Sequence, residues 1–90
     1  MRRIAFVVTG HVQGVGFRAG AAGVARRLRL DGHVRNRGDG AVEGEAQGET
    51  TAIDAFVDWL RQGPTLARVT DVSLRDLEPA PGTQAFDVRR

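Results

Sequence analysis

The sequence predicts an α+β sandwich of order β-α-β-β-α-β: an antiparallel sheet with two helices on one face and a short extra C-terminal strand. Three observations predict it. Two stretches carry apolar residues at helical spacing, extended runs stand before, between and after them, and the two middle runs flank an Asp39-Gly40 hairpin signal. A chain of 90 residues is expected to form one domain, spanning residues 1–90.

Taken in order, Arg3 to Thr9 reads as a central strand. Ile4, Phe6 and Val8 alternate with Ala5, Val7 and Thr9, and both faces are mostly apolar. A glycine-rich turn follows, and then a helix from about Phe17 to Leu30. Its stripe is Phe17, Ala21, Val24 and Leu28, with Gly20 and Gly23 placed to allow close packing on the sheet. Asp31-Gly32 is expected to end it, with Gly32 in a left-handed conformation. His33 to Arg37 and Ala41 to Gln47 form the hairpin. In the second of these, Val42, Gly44 and Ala46 face the core, while Glu43, Glu45 and Gln47 face water.

Thr51 to Gln62 reads as the second helix, with Ile53, Phe56, Val57 and Leu60 as its buried stripe. Thr51 and Asp54 form a capping-box-like pair, and Gly63-Pro64 stops the helix. Val69 to Leu77 and Gln84 to Arg89 are the last extended segments, on either side of Pro79-Ala80-Pro81-Gly82. This order of elements is the split β-α-β, ferredoxin-like arrangement. Trp59 and the phenylalanines are expected in the core or on helix flanks.

Composition narrows the function. All 13 basic side chains are arginine, against 11 acids, so the net charge is only +2. Residues 1–37 hold eight arginines and one acid, whereas residues 38–90 hold five arginines and ten acids. The positive half carries the glycine-rich turn, which favours attraction of a small anion. Cysteine is absent, which excludes disulfides and thiolate metal sites and fits a cytoplasmic address. Two histidines far apart in sequence do not favour a zinc site. The apolar run after Met1-Arg2-Arg3 stops at Thr9, too short for a signal peptide, and none approaches the roughly 18–20 residues of a membrane span.

The strongest chemical signal is the turn Gly10-His11-Val12-Gln13-Gly14-Val15-Gly16 entering the first helix. Backbone N–H groups at such a turn point outward, and the helix dipole adds positive potential, which suits a phosphate. Arg18 opens the helix. A cation there opposes the dipole unless an anion lies between them, and its planar fork can grip two phosphate oxygens. A plain turn with a solvated arginine is the alternative. Gly14 to Ala19 also fits G-x-G-x-x-A, but the next strand ends in the Asp39-Gly40 hairpin, so a dinucleotide unit is not supported. Without lysine there is no Walker A loop. The second candidate is Asn36, the only asparagine, whose amide can orient a water by donating and accepting at once. Its alternative role is that of an ordinary turn residue. His11 reads as solvated beside the loop, and His33 as packing on the sheet surface.

Val8-Thr9-Gly10-His11-Val12-Gln13-Gly14-Val15-Gly16-Phe17-Arg18 resembles the phosphate-binding signature of the acylphosphatase family. Gly32 to Val42, continuing to Gly48, resembles its second signature, and Phe56, Gly63-Pro64 and Val69 match the rest of the pattern. His33 departs from a usual aromatic, and Ala19 from a usual tyrosine or other larger residue. The resemblance implies a ferredoxin-like fold and metal-independent hydrolysis of an acyl phosphate to carboxylate and phosphate. It implies that Arg18 and backbone N–H groups of Gln13, Gly14, Val15, Gly16, Phe17 and Arg18 hold the phosphoryl group. Asn36 would orient the attacking water. The expected partner is a small-molecule acyl phosphate, with no nucleic acid or membrane and no cofactor, for a free-standing monomer. A non-catalytic anion-binding module on the same fold is the alternative. An RNA-binding reading requires exposed aromatics on the central strands, where only Phe6 is available.

Overall fold

The computed structural model describes residues 1–81 and 85–90. The elements are β1 (Arg2–His11), α1 (Phe17–Arg27), β2 (Asp31–Asn36), β3 (Val42–Gly48), α2 (Thr50–Gln62), β4 (Arg68–Leu77) and β5 (Asp87–Val88). The sheet order is β4-β1-β3-β2-β5. The four long strands pair antiparallel, and the short β5 adds in parallel to β2. The predicted ferredoxin-like sandwich is therefore the observed fold, its sheet made mixed by β5. The last strand was expected from Gln84 to Arg89. Its observed ladder is Asp87–Val88, Ala85 makes an isolated bridge to Asp31, and Gln84 and Gly82 lie outside the described residues.

The core lies between one face of the sheet and the two helices. Ile4, Phe6, Val8, Val34, Val42 and Ala46 supply the sheet side. Phe56 of α2 meets Phe6 edge-on at 5.5 Å and Phe86 at 5.7 Å, so one ring ties the first strand, the second helix and the C-terminal segment together. Burying each such side chain contributes about 2–3 kcal/mol. Phe6 is 1% exposed, which removes the only aromatic available for base stacking on the central strands.

The buried stripe of α2 is the predicted one: Ile53, Phe56, Val57 and Leu60. The predicted start is not. The helix begins at Thr50, with Glu49 at the N-cap and no side-chain cap bond, so Thr51 and Asp54 form no capping box. Asp54 instead pairs with Arg2 of β1, Nη1 to Oδ1 at 3.3 Å.

Helix α1 buries Phe17, Ala21, Ala22 and Ala25, while Val24 and Leu28 are only partly covered, so the stripe is rotated from the predicted one. Its small residues let the helix lie close to its neighbours. Gly20 packs against α2 rather than the sheet: a Cβ there would sit 2.8 Å from Trp59 Cζ2, whereas a Cβ at Gly23 would meet nothing. The helix also ends earlier than predicted, at Arg27. Arg29 N–H donates to the Arg26 carbonyl (3.1 Å) and Leu30 N–H to the Ala25 carbonyl (2.9 Å). That is a Schellman closure, and its left-handed residue is Arg29 (φ 58°); Gly32 does take a positive φ (138°), but beyond the closure. The cause is Leu30, whose buried side chain must turn into the core directly after the helix. Gly32 falls inside β2, where its lack of a Cβ admits the Glu45 carbonyl.

Gln47 also departs from expectation. On the predicted wet face of β3, it is 3% exposed. The chain from β4 must cross the sheet to reach β5 at the other edge, and it passes over Gln47. The Gln47 amide donates to the Ala80 carbonyl (2.9 Å) and accepts from the Ala80 N–H (2.7 Å).

Candidate active site

The turn between β1 and α1 holds two glycines at positive φ, Gly14 at 76° and Gly16 at 82°. Neither is crowded, so conformation and not space is what requires glycine there. Gly16 is the N-cap of α1, no side chain caps the helix, and its first turn contains no acid. The first-turn N–H groups are thus left for a ligand, and the dipole there favours an anion. At the other end, Arg26 and Arg27 complement the dipole.

Phe17 is the hinge pin of this arrangement. It is buried and packs on Trp59, ring centroids 5.2 Å apart, and a Cβ on Gly63 would come within 2.8 Å of Phe17 Cε2. The start of α1 is therefore fixed against the end of α2. Gln13 fixes the other side of the loop. Its Nε2 donates to the Arg37 carbonyl (2.7 Å) and to the Ala41 carbonyl (3.0 Å). Those carbonyls belong to the hairpin that follows Asn36. The hairpin is itself held by Arg37 N–H to the Ala41 carbonyl (2.8 Å) and by Ala41 N–H to Asp39 Oδ1 (3.1 Å). That backbone N–H, with help from the Arg37 guanidinium at 2.7 Å, holds the Asp39 carboxyl below its ordinary pKa.

Asn36 is the last residue of β2, opposite Val42, and half-buried. It faces the same cavity of about 370 Å³ as Gly14, Gly16, Phe17 and Arg18, together with Val12, Ala19, Val88 and Arg90. Of the residues expected at the site, Gln13 and Val15 do not line this cavity; Gln13 acts on the hairpin and Val15 packs partly against the core. Arg18 Nη1 donates to the Arg89 carbonyl at 3.0 Å. Its partner is a carbonyl and not a carboxylate, so the contact orients the guanidinium without neutralising it.

Three supports place Arg89 beside the loop. Phe86 is buried in the core, its carbonyl accepts from both Nε and Nη2 of Arg26 (3.1 and 3.0 Å), and Arg89 N–H donates to the Val34 carbonyl (2.8 Å). The sequence motifs single out Arg18 alone among the arginines and miss this C-terminal contribution. The paired Arg89-Arg90 after a short extended run was the one available signal.

A second cavity of about 450 Å³ lies on the open face of the sheet, lined by His33, Arg35, Glu43, Glu45, Arg75 and Arg89 among others. Its two carboxylates are engaged, Glu43 with Arg35 (2.5 Å) and Glu45 with Arg3 (2.6 Å). His33 lies here, as expected, on the sheet surface. Burial, reinforced by Arg89, holds its pKa below the ordinary value of 6.5, while Glu45 acts in the opposite direction. The smaller cavity is the better candidate, because it alone joins helix N–H groups, an arginine and an amide. Among the described residues no three His, Asp or Glu side chains cluster to hold a metal, and no helix is long and apolar enough to cross a membrane.

The acylphosphatase family profile matches residues 4–88. An acylphosphatase of Anaeromyxobacter dehalogenans is 47% identical over 87 residues, 97% of this chain and 94% of that protein. The crystal structure of acylphosphatase from Bacillus subtilis superimposes with a TM-score of 0.95 at 36% identity, covering 100% of both chains. An acylphosphatase from Coxiella burnetii superimposes at 0.91 and 36% identity, over 98% of this chain and 92% of that one. With this fold, both signature segments and matches over nearly its whole length, the chain belongs to the acylphosphatase family of enzymes.

Proposed function

We propose that the chain hydrolyses acyl phosphates by in-line attack of a water held by Asn36 on a phosphoryl group held by Arg18 and the loop. The phosphoryl oxygens accept from backbone N–H groups between Gln13 and Arg18 and from the Arg18 guanidinium. Charge on them is stabilised by donors already in place, which is where electrostatic catalysis acts. The Asn36 amide accepts a hydrogen bond from the water and directs its lone pair at phosphorus, a positioning role.

The make-up of the cavity supports an acyl phosphate as the substrate. Neither a general acid nor a metal cluster stands among the cavity residues, which are Val12, Gly14, Gly16, Phe17, Arg18, Ala19, Asn36, Val88 and Arg90. A monoester would have to expel a basic alkoxide. An acyl phosphate expels a carboxylate whose conjugate acid has a pKa of about 4–5, as for Asp and Glu, and needs no proton from the enzyme. The water oxygen joins phosphorus as the bond to the acyl oxygen breaks, and the products are carboxylate and inorganic phosphate.

The observation that carries this reading is that one cavity joins Gly14, Gly16, Arg18 and Asn36, from two separate sequence segments. The test is hydrolysis of benzoyl phosphate in excess chelator. The wild type is expected to turn over, and Arg18→Ala to lose both turnover and inhibition by inorganic phosphate. A wild type that binds phosphate without hydrolysing benzoyl phosphate would instead make this an anion-binding module.

A further inference from the structure

The phosphoryl group, placed as above, occupies the part of the cavity between Gly14, Gly16 and Arg18. The rest of the lining is the buried Val12 and Phe17, Asn36, and the exposed Ala19, Val88 and Arg90, and the acyl group is taken to lie against these last three. This wall has a definite chemistry. Ala19 is exposed and reaches no further than its Cβ, so the first turn of α1 leaves the space open. Val88 is 39% exposed, an apolar surface that an acyl chain can cover. Arg90 is exposed, lines both this cavity and the larger one on the open face of the sheet, and is the only charged side chain besides Arg18 in the lining of the smaller one.

The neighbouring arginines are already engaged. Arg18 is held by the Arg89 carbonyl, and the Arg89 guanidinium lies 3.7 Å from Asp87. The seven ion pairs among the described residues do not include Arg90. A second guanidinium in the lining of the cavity that holds the phosphoryl group is matched by a carboxylate on the substrate, which it can grip through two parallel N–H donors.

We propose that Arg90 is a specificity-determining residue that receives a carboxylate at the far end of the acyl group. The preferred substrates are then acyl phosphates of dicarboxylic acids, their carbon skeleton lying against Ala19 and Val88. This rests on the phosphoryl placement proposed above. Arg90 does not touch the reacting atoms, so it acts on the relative kcat/KM of substrates and not on the chemical step.

The test compares 4-carboxybenzoyl phosphate with benzoyl phosphate. The ratio of their kcat/KM values is taken within each protein, which cancels general damage to the site. Arg90→Gln is expected to lower this ratio about fivefold, the size of one solvent-exposed ion pair. Arg90→Lys is expected to retain most of it, and Arg27→Gln, at the far end of α1, to leave it unchanged. An unchanged ratio in Arg90→Gln overturns the assignment. So does an equal fall in Arg27→Gln, which would indicate bulk charge. A wild type that hydrolyses neither compound would overturn the hydrolase reading and this inference with it, whereas turnover with no effect of Arg90 overturns the inference alone.

Discussion

The side-chain nitrogen of Gln13 stands 2.7 Å from the backbone carbonyl of Arg37, and the same nitrogen reaches the Ala41 carbonyl at 3.0 Å. One amide thus links the phosphate loop to the hairpin behind Asn36. The two halves of the site come from separate segments, and this contact, between residues 24 positions apart, ties them together.

Replacing Gln13 by Ala removes both bonds, while each carbonyl keeps one backbone donor, Gly40 N–H at Arg37 and Arg37 N–H at Ala41. The expected loss of stability is about 1 kcal/mol, read as a lower urea midpoint. Because the loop and Asn36 then move independently, kcat for benzoyl phosphate should fall more than the affinity for inorganic phosphate. Equal losses would mean that Gln13 supports only the loop.

Arg29 carries a conformation that its side chain disfavours. Its φ of 58° is imposed by the turn that brings Leu30 into the core, and its side chain is exposed. Arg29→Gly should raise stability by about 1 kcal/mol, with no change in turnover, since it lies at the end of α1 remote from Arg18. Urea unfolding checks the sign; a loss would mean that the guanidinium makes a stabilising contact that outweighs the backbone strain.

The depressed pKa of His33 predicts a pH dependence of stability. Burial and then Arg89 favour the neutral ring, with Arg3 and Arg35 in the same direction and Glu45 against them. The unfolded chain takes up its proton near pH 6.5, before the folded protein does. The contribution of His33 is therefore full above that pH and declines as pH falls through it towards the folded value. His33→Gln should flatten this limb in urea midpoints measured between pH 7.5 and 5.5. Parallel slopes for the two proteins would contradict it.

Local signals were the legible ones. The buried stripe of α2, the Asp39-Gly40 hairpin and the glycines of the phosphate loop all act within a few residues, where spacing and backbone preference decide. Asn36 stood out by its position beside that hairpin and by the family resemblance. The failures share a different cause. The end of α1 was decided by where Leu30 had to go, Asp54 is drawn to Arg2 of β1 and not to a cap, and the burial of Gln47 was decided by a segment crossing the sheet from β4. The parallel pairing of Asp87–Val88 with β2 is too short to leave a periodic pattern. With it went the contact of Arg18 with the Arg89 carbonyl and the placing of Arg90 at the cavity. Tertiary contacts of this kind override local preference, and neither spacing nor composition encodes them.

The division of labour between Arg18 and Asn36 is tested most directly by Asn36→Ala, assayed in excess chelator with benzoyl phosphate. An amide that only positions the water should be dispensable for binding. The account predicts that kcat falls by about a hundredfold or more while inhibition by inorganic phosphate stays within about twofold of wild type. Full turnover in Asn36→Ala would contradict it.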